Sequence, residues 1–135
     1  MRIAVIALSE KRNEKLNRIL HGFAGEFRAM GHSCDTMTSP VGGLSGYDFL
    51  VFCSDSASMA GLKNNRLNQT LSSAGSLVGK RSMAVLSKGT FFSNRNLGRL
   101  MSLLEKEGLV VTMAELISGE AEVPSLARGA PLVRG

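Results

Sequence analysis

The chain has 135 residues, of which 44% are hydrophobic and 20% are charged, and its formal net charge is +5. These values are typical of one globular domain and exclude an intrinsically disordered or a fibrous chain. No apolar run approaches the ~20 residues of a membrane span, and the first apolar run lacks the features of a secretory signal. We therefore expect a cytoplasmic protein that does not enter a membrane.

Neither nucleic acid nor a metal is expected as a partner. Aromatic residues make up only 5% of the chain, and the basic residues are scattered without a recognised nucleic-acid-binding motif. The cysteines Cys34 and Cys53 and the histidines His21 and His32 lack the spacing of a zinc site. Both cysteines fall within predicted strands, so we interpret them as buried apolar side chains.

Two continuous apolar runs predict interior strands. They are Arg2–Leu8 and Tyr47–Ser54, and the second ends abruptly in polar residues. A strand that is apolar on both faces must be covered on both faces, as in the centre of a parallel sheet. The segment His32–Met37 alternates in polarity and predicts an edge strand, while 82–87 and a short run at 109–112 predict two more strands.

Three stretches between these strands have the apolar period of a helix. The first stripe is Leu16–Met30, and Gly31 is placed to end that helix. The second stripe is Leu67–Val78, and the third is Leu97–Leu104, with Gly108 as the stop. Strands that alternate with helices indicate βαβ units, so we predict an α/β fold, a three-layer sandwich with a five-stranded parallel sheet.

The pattern weakens after residue 112. Residues 113–117 are compatible with a turn of helix or with extended chain, and residues 118–135 contain Gly, Pro and Arg without periodicity. We therefore expect a domain at 1–117 followed by an irregular carboxyl-terminal tail at 118–135.

The order of these elements resembles the flavodoxin-like family. The similarity is carried by Ala29–His32 leading into the second strand and by Tyr47–Phe52 in the third. It also includes Leu77–Arg81 before the fourth strand, which is similar to flavodoxin-like quinone oxidoreductases. The resemblance covers roughly residues 2–112. It implies the strand order 2-1-3-4-5, an FMN cofactor and an electron-transfer role.

The resemblance also implies that the cofactor binds at the loops after the first, third and fourth strands. In the first loop, Lys11, Arg12 and Glu14 stand where the family pattern has a hydroxyl, a glycine and a hydroxyl. Basic side chains can bind phosphate in their place, although a solvated charged turn is the alternative. The candidate cofactor contacts are Ser9, Lys11, Arg12, Asn13, Lys15, Ser54, Ser56, Ser58, Ser87, Phe91 and Phe92.

Basic residues are concentrated at these loops. Eight of the 16 lie in or just after them, namely Lys11, Arg12, Lys15, Lys63, Arg66, Lys88, Arg95 and Arg99. An excess of positive charge at this edge favours an anion-binding rim, with solvated helix starts as the alternative.

Two hypotheses about function follow, and a third has less support. The first is an FMN-binding redox protein. The second is a flavin-less binding or assembly module that holds a phosphate-bearing small molecule. Hydrolase or transferase chemistry is least supported, because no histidine falls in the edge loops.

We also expect a homo-oligomer. Family members usually end in a long amphipathic helix that covers one face of the sheet, and residues 113–135 show no such periodicity. The tail or a partner subunit should then cover the apolar patch that remains.

Overall fold

A computed structural model describes residues 1–8, 14–38, 44–55, 77–88 and 93–132. The described residues form five strands: β1 (Arg2–Ala7), β2 (Ser33–Met37), β3 (Phe49–Asp55), β4 (Arg81–Ser87) and β5 (Val110–Ile117). They also form three α-helices: α1 (Glu14–Ala29), α2 (Ser93–Lys106) and α3 (Val123–Gly129). Single turns of 3-10 helix lie at Leu44–Gly46 and Glu120–Glu122.

The five strands form one parallel sheet in the order β2-β1-β3-β4-β5. This is the order that the resemblance implied, so the predicted α/β architecture is confirmed, and β2 is an edge strand as expected. In the register, Ile3 lies between Cys34 on β2 and Phe49 on β3, while Cys53 pairs with Ala7. Both cysteines are buried and free, as the strand pattern predicted.

Helices cover the sheet on both faces. The side chains of α1 and α3 pack on one face, and those of α2 pack on the other together with Leu44 and Tyr47. All of β3 from Phe49 to Ser54 is buried, because its alternating side chains enter both layers of the core. Each such aliphatic or aromatic side chain contributes about 1.5–3 kcal/mol to folding.

The first helix ends just before Gly31, as predicted, but its buried stripe differs from the prediction at Met30. Gly31 has φ 91°, the His32 N–H donates to the Phe27 carbonyl at 3.0 Å, and the Gly31 N–H donates to the Arg28 carbonyl at 3.0 Å. These two bonds close a Schellman motif. Met30 therefore lies beyond the helix and is 41% exposed, so its placement on the buried stripe is wrong.

The end of the second predicted stripe also differs from the prediction. Val78 was expected on a buried stripe, but it lies in a turn and is 77% exposed. Gly79 follows it with φ 79°, a conformation that ends any helix. The other positions of that stripe lie outside the described residues.

The third predicted helix is present with a somewhat different buried face. Leu100 and Leu104 of α2 are buried as expected, while Leu97 and Met101 are only partly buried. Asn96 and Leu103, which the stripe did not include, complete the buried face.

The last strand and the tail differ most from expectation. β5 is longer than the short run at 109–112, and residues 113–117 are strand. Residues 120–129 are helical, so the expectation of an irregular tail is wrong there. Val123 of α3 packs so closely on α1 that a Cβ added at Gly22 would lie 3.2 Å from its Cγ1 atom. The tail thus covers part of the sheet, while a partner subunit stays a prediction.

Candidate functional site

The carboxyl ends of β1 and β3 lie side by side at the centre of the sheet. The chain leaves β1 towards β2 on one side, whereas β3 lies on the other side. Connections that diverge from neighbouring strands leave a crevice at the carboxyl edge, where open α/β sheets bind ligands. This switch point is the best candidate for a functional site.

Two hydrogen bonds join the strands at this point. The Leu8 N–H donates to the Cys53 carbonyl at 2.8 Å, and the Ser54 hydroxyl donates to the Leu8 carbonyl at 2.7 Å. Ser54 is fully buried. These bonds hold the carboxyl ends of β1 and β3 next to each other at the sheet edge.

The end of β4 extends the same edge. Ser87 is buried and pairs with Asp55 of β3 and with Ile117 of β5. The Lys88 N–H then donates to the Ile117 carbonyl at 2.8 Å, and the Lys88 side chain is exposed.

Two helices begin near this edge, and their first turns differ in charge. The first turn of α1 contains Glu14 and the exposed Lys15. The first turn of α2 contains no acidic residue and carries the exposed Arg95. Helix amino termini present unpaired N–H groups and the positive end of the dipole. Together with Lys88, these groups favour an anion.

Solved flavodoxin structures are similar in fold to this chain over most of its length. A flavodoxin from Streptococcus pneumonia TIGR4 has a TM-score of 0.68 at 14% identity, covering 94% of each chain. A mutant flavodoxin from Pseudomonas aeruginosa also has a TM-score of 0.68 at 14% identity, covering 100% of each chain. Oxidised Flavodoxin 2 from Bacillus cereus has a TM-score of 0.67 at 13% identity, covering 95% of this chain and 96% of its own. The protein has a flavodoxin-like fold. No family model and no curated protein matches the sequence.

Three of the candidate cofactor contacts lie within the described part of this flavodoxin-like fold. Lys15 is exposed, whereas Ser54 and Ser87 are buried at the strand ends. The Ser54 hydroxyl already donates to Leu8, so it supports the edge from beneath. The other candidates, Ser9, Lys11, Arg12, Asn13, Ser56, Ser58, Phe91 and Phe92, lie outside the described residues.

The cysteines are poor nucleophiles in this flavodoxin-like fold. Burial raises the pKa of Cys34 to about 11, and burial also raises the pKa of Cys53, which lies one residue before Ser54. Both thiols therefore stay protonated near neutral pH, and the thiolate is the reactive form.

A polar cluster at the opposite, amino edge was missed in the sequence. The Tyr47 hydroxyl donates to Asp35 Oδ2 at 2.7 Å, and this bond raises the pKa of Tyr47. The Arg2 guanidinium lies 4.8 Å from the centre of the Tyr47 ring, and Lys80 Nζ donates to the Tyr47 carbonyl at 2.7 Å. The cluster holds residues 44–48 against the strands, and no local sequence pattern reveals contacts between such distant residues.

Other kinds of site find no support in the described part of the chain. None of its helices has the length and apolar character that crossing a bilayer requires. Nor does that part bring together three or more His, Cys, Asp or Glu side chains that could hold a metal ion.

Proposed function

We propose that this protein binds FMN at the β1–β3 switch point and carries electrons. The observation that carries the proposal is the switch point at the carboxyl ends of β1 and β3, where hydrogen bonds among Leu8, Cys53 and Ser54 join the two strands. In flavodoxin-like sheets the flavin binds at this switch point. When bound, FMN supplies the electron-transfer chemistry, and the protein holds and orients it.

The sequence around the start of α1 fits the phosphate of FMN in its charge. Lys15 is exposed at the first turn of α1, and the neighbouring Lys11 and Arg12 add two cations in the sequence. Charge-assisted bonds to phosphate are stronger than exposed ion pairs, which contribute less than ~1 kcal/mol, so the cations should outweigh Glu10 and Glu14. Arg12 replaces the glycine that permits close backbone approach, so we expect weaker binding than in a family member with the complete loop.

The remaining candidates have separate roles in this proposal. Phe91 or Phe92 would lie on the isoalloxazine ring, and Ser9 and Asn13 would donate to the phosphate. Ser56 and Ser58 would face the ring from the loop after β3. Ser54 and Ser87, being buried, would hold the strand ends that carry these loops.

A flavin-less module with a phosphate site is the second candidate. It is favoured by Glu14, which lies in the first turn of α1 and opposes an anion there, and by the missing glycine at position 12. This candidate predicts a colourless protein that still binds inorganic phosphate or a phosphate-bearing small molecule. In either case we propose a cytoplasmic location, on the sequence alone.

Titration with FMN tests the first candidate. We expect the absorption spectrum of FMN to shift and its fluorescence to be quenched on binding. The double variant Lys11→Ala/Arg12→Ala and the single variant Lys15→Ala should each weaken binding by about tenfold, the loss expected for ~1.4 kcal/mol of charge-assisted bonding. Lys106→Ala is the matched control, because it removes the same charge from the last turn of α2 at the far end of that helix.

The outcomes separate the two candidates. Binding of FMN that the basic variants weaken and the control does not supports the redox protein. Binding of inorganic phosphate without any response to millimolar FMN favours the module. If neither ligand binds, both proposals fail.

A further inference from the structure

The charged side chains at the carboxyl end of the sheet are segregated between its two faces. On the face that α1 and α3 cover, the described residues carry more carboxylates than cations. The carboxylates are Glu14, Asp55, Glu115, Glu120 and Glu122, and the cations are Lys15 and Arg18. Arg18 is already paired, since its Nε atom lies 3.7 Å from Glu120 Oε1. This face is therefore acidic at its carboxyl end.

Strand alternation places two of these carboxylates. Asp55 alternates along β3 with Cys53, and Glu115 alternates along β5 with Ile117. Cys53 and Ile117 both lie in the core layer under α1 and α3. Because side chains two residues apart on a strand share a face, Asp55 and Glu115 lie on that side of the sheet.

Among the described residues, the face that α2 covers carries only cations at its carboxyl end. These are Lys88, Arg95 and Arg99, which we call the α2 patch. The Lys88 N–H donates to the Ile117 carbonyl, so the alternation of β4 extends to Lys88 and places it with Leu86 on the α2 side. Arg95 and Arg99 are four residues apart and lie on the same side of α2.

The described carboxylates of this face lie away from the α2 patch, at the far end of α2 or at the amino edge of the sheet. They are Asp35, Asp48, Glu105 and Glu107. Within the described part of the chain, neither Lys88 nor Arg95 forms an ion pair, and both side chains are exposed. The α2 patch thus presents positive charge to the solvent.

The α2 patch borders the ring side of the proposed flavin site. β4 lies next to β3, so the end of β4 is one interstrand spacing, about 4.8 Å, from the switch point. Lys88 and Ser93 flank the segment 89–92, which contains the proposed ring contacts Phe91 and Phe92. The cations proposed for the phosphate belong instead to the start of α1. A protein bound to the α2 patch therefore lies beside the group that exchanges electrons.

We infer that the α2 patch is the docking surface for an electron-transfer partner, a protein with an acidic surface around its own redox group. This inference rests on the proposed function and specifies the partner of that site. Reduced FMN passes its electrons one at a time to the oxidised group of the partner, and its protons go to water. Electrostatic attraction speeds the encounter and orients the partner, while a small polar interface keeps the complex short-lived.

Three features favour a protein over other anions. Arg95 and Arg99 lie about 6 Å apart along the helix axis and Lys88 lies at the sheet edge, so the α2 patch is wider than one phosphate. A membrane surface requires apolar side chains beside the cations, whereas the exposed large apolar side chains of the described residues all lie at the amino edge. They are Met1, Met30, Val78 and Val110. Nucleic acid requires more cations, because a typical binding protein contacts about 6–10 phosphates.

Binding of poly-L-glutamate to the ¹⁵N-labelled protein tests the surface without FMN. A polymer of about 20 residues is long enough to span the α2 patch. At low ionic strength the amide signals of Lys88 and of residues 95–99 should shift, and added salt should abolish the shifts. Arg95→Glu should raise the dissociation constant about fivefold. Lys106→Glu is the matched control, because it reverses one exposed charge at the far end of α2 and should change the dissociation constant by less than about twofold.

Oxidation of the FMN-loaded, photochemically reduced protein tests the link with the flavin. Ferricyanide, a trianion, and hexaammineruthenium(III), a trication, each accept one electron. At low ionic strength the double variant Lys88→Glu/Arg95→Glu should slow the reaction with ferricyanide about tenfold and accelerate the reaction with the trication. Lys106→Glu should change neither rate, and added salt should reduce the effect of the double variant.

The outcomes separate this inference from the proposed function. If FMN does not bind, the proposed function fails and the redox role of the α2 patch fails with it. If FMN binds but poly-L-glutamate shifts other signals, or Arg95→Glu and Lys106→Glu weaken its binding equally, the docking surface lies elsewhere. Tighter binding of an oligothymidylate of equal length at the same residues identifies nucleic acid as the partner and overturns the inference. Ferricyanide rates that the double variant leaves unchanged also overturn it, because the α2 patch then lies away from the path of the electrons.

Discussion

Replacing Ser54 with alanine measures how much one buried hydrogen bond at the switch point contributes to the stability of the protein. The Ser54 hydroxyl donates to the Leu8 carbonyl at 2.7 Å across 46 residues of sequence, and both residues are buried. Ser54→Ala removes this donor and leaves the carbonyl in a place that water does not reach. The variant therefore tests whether this one bond holds the ends of β1 and β3 together.

The expected cost follows from the burial of the orphaned acceptor. A buried polar group that loses its partner costs about 1–3 kcal/mol, and we expect about 2 kcal/mol here because the bond is short and fully enclosed. Ser82→Ala is the matched control. Ser82 is equally buried, but its hydroxyl lies 3.3 Å from the Val110 carbonyl, a poor hydrogen bond, so its loss should cost less than about 1 kcal/mol.

Urea unfolding followed by far-ultraviolet circular dichroism measures both costs, and thermal melting provides a second reading. For a domain of this size about 2 kcal/mol lowers the melting temperature by roughly 6–10 °C. The reasoning is refuted if Ser54→Ala destabilises the protein no more than Ser82→Ala does. If FMN binds, Ser54→Ala should also weaken FMN binding, because this bond joins the ends of the two strands that lead into the predicted cofactor loops.

Two further predictions concern α1 and the thiols. Gly25→Ala should stabilise the protein by about 1 kcal/mol through helix propensity, because a Cβ added at Gly25 meets no atom within 4 Å. Gly22→Ala should gain about 1 kcal/mol less, because a Cβ added at Gly22 lies 3.2 Å from the Val123 side chain. If urea unfolding gives equal gains for the two variants, α3 does not pack on α1 at Gly22. Burial raises the pKa of Cys34 from 9.0 to about 11 and also raises that of Cys53, so the folded protein keeps protons that the unfolded chain loses. Stability should therefore be intact below about pH 9 and fall by up to ~1.4 kcal/mol per pH unit for each thiol as the pH rises towards 11. Cys34→Ser should flatten this dependence in unfolding measured between those pH values, and an unchanged slope would contradict the assignment.

The sequence predicts where the candidate site lies but not the hydrogen bonds that hold it together. The switch point was predicted, because the ends of two interior strands in a parallel sheet meet at one edge. The bond from Ser54 to Leu8 was not predicted, because it joins residues 46 positions apart. A serine at the end of a strand is equally compatible with an exposed side chain that contacts a ligand. The Tyr47–Asp35 bond joins residues 12 positions apart, so no local pattern predicts it either.

The sequence alone determined the features that depend on neighbouring residues. Continuous apolar runs identified β1 and β3 as interior strands, because each side chain of such a run must be buried wherever the strand lies. Gly31 and Gly108 identified helix ends, because a positive φ is a property of one residue and its neighbours. These signals survive without knowledge of the rest of the molecule.

Tertiary structure alone decided the features whose stability comes from distant contacts. α3 has seven residues, too few for a stable helix in isolation, and it forms because Val123 and Ala127 are buried against α1 and the core. β5 extends to Ile117 because β4 offers backbone partners along its whole length. Met30 and Val78 are apolar yet exposed, because Met30 lies beyond the end of α1 and Val78 lies in a turn. In each case the deciding free energy lies in contacts between segments that the local pattern does not encode.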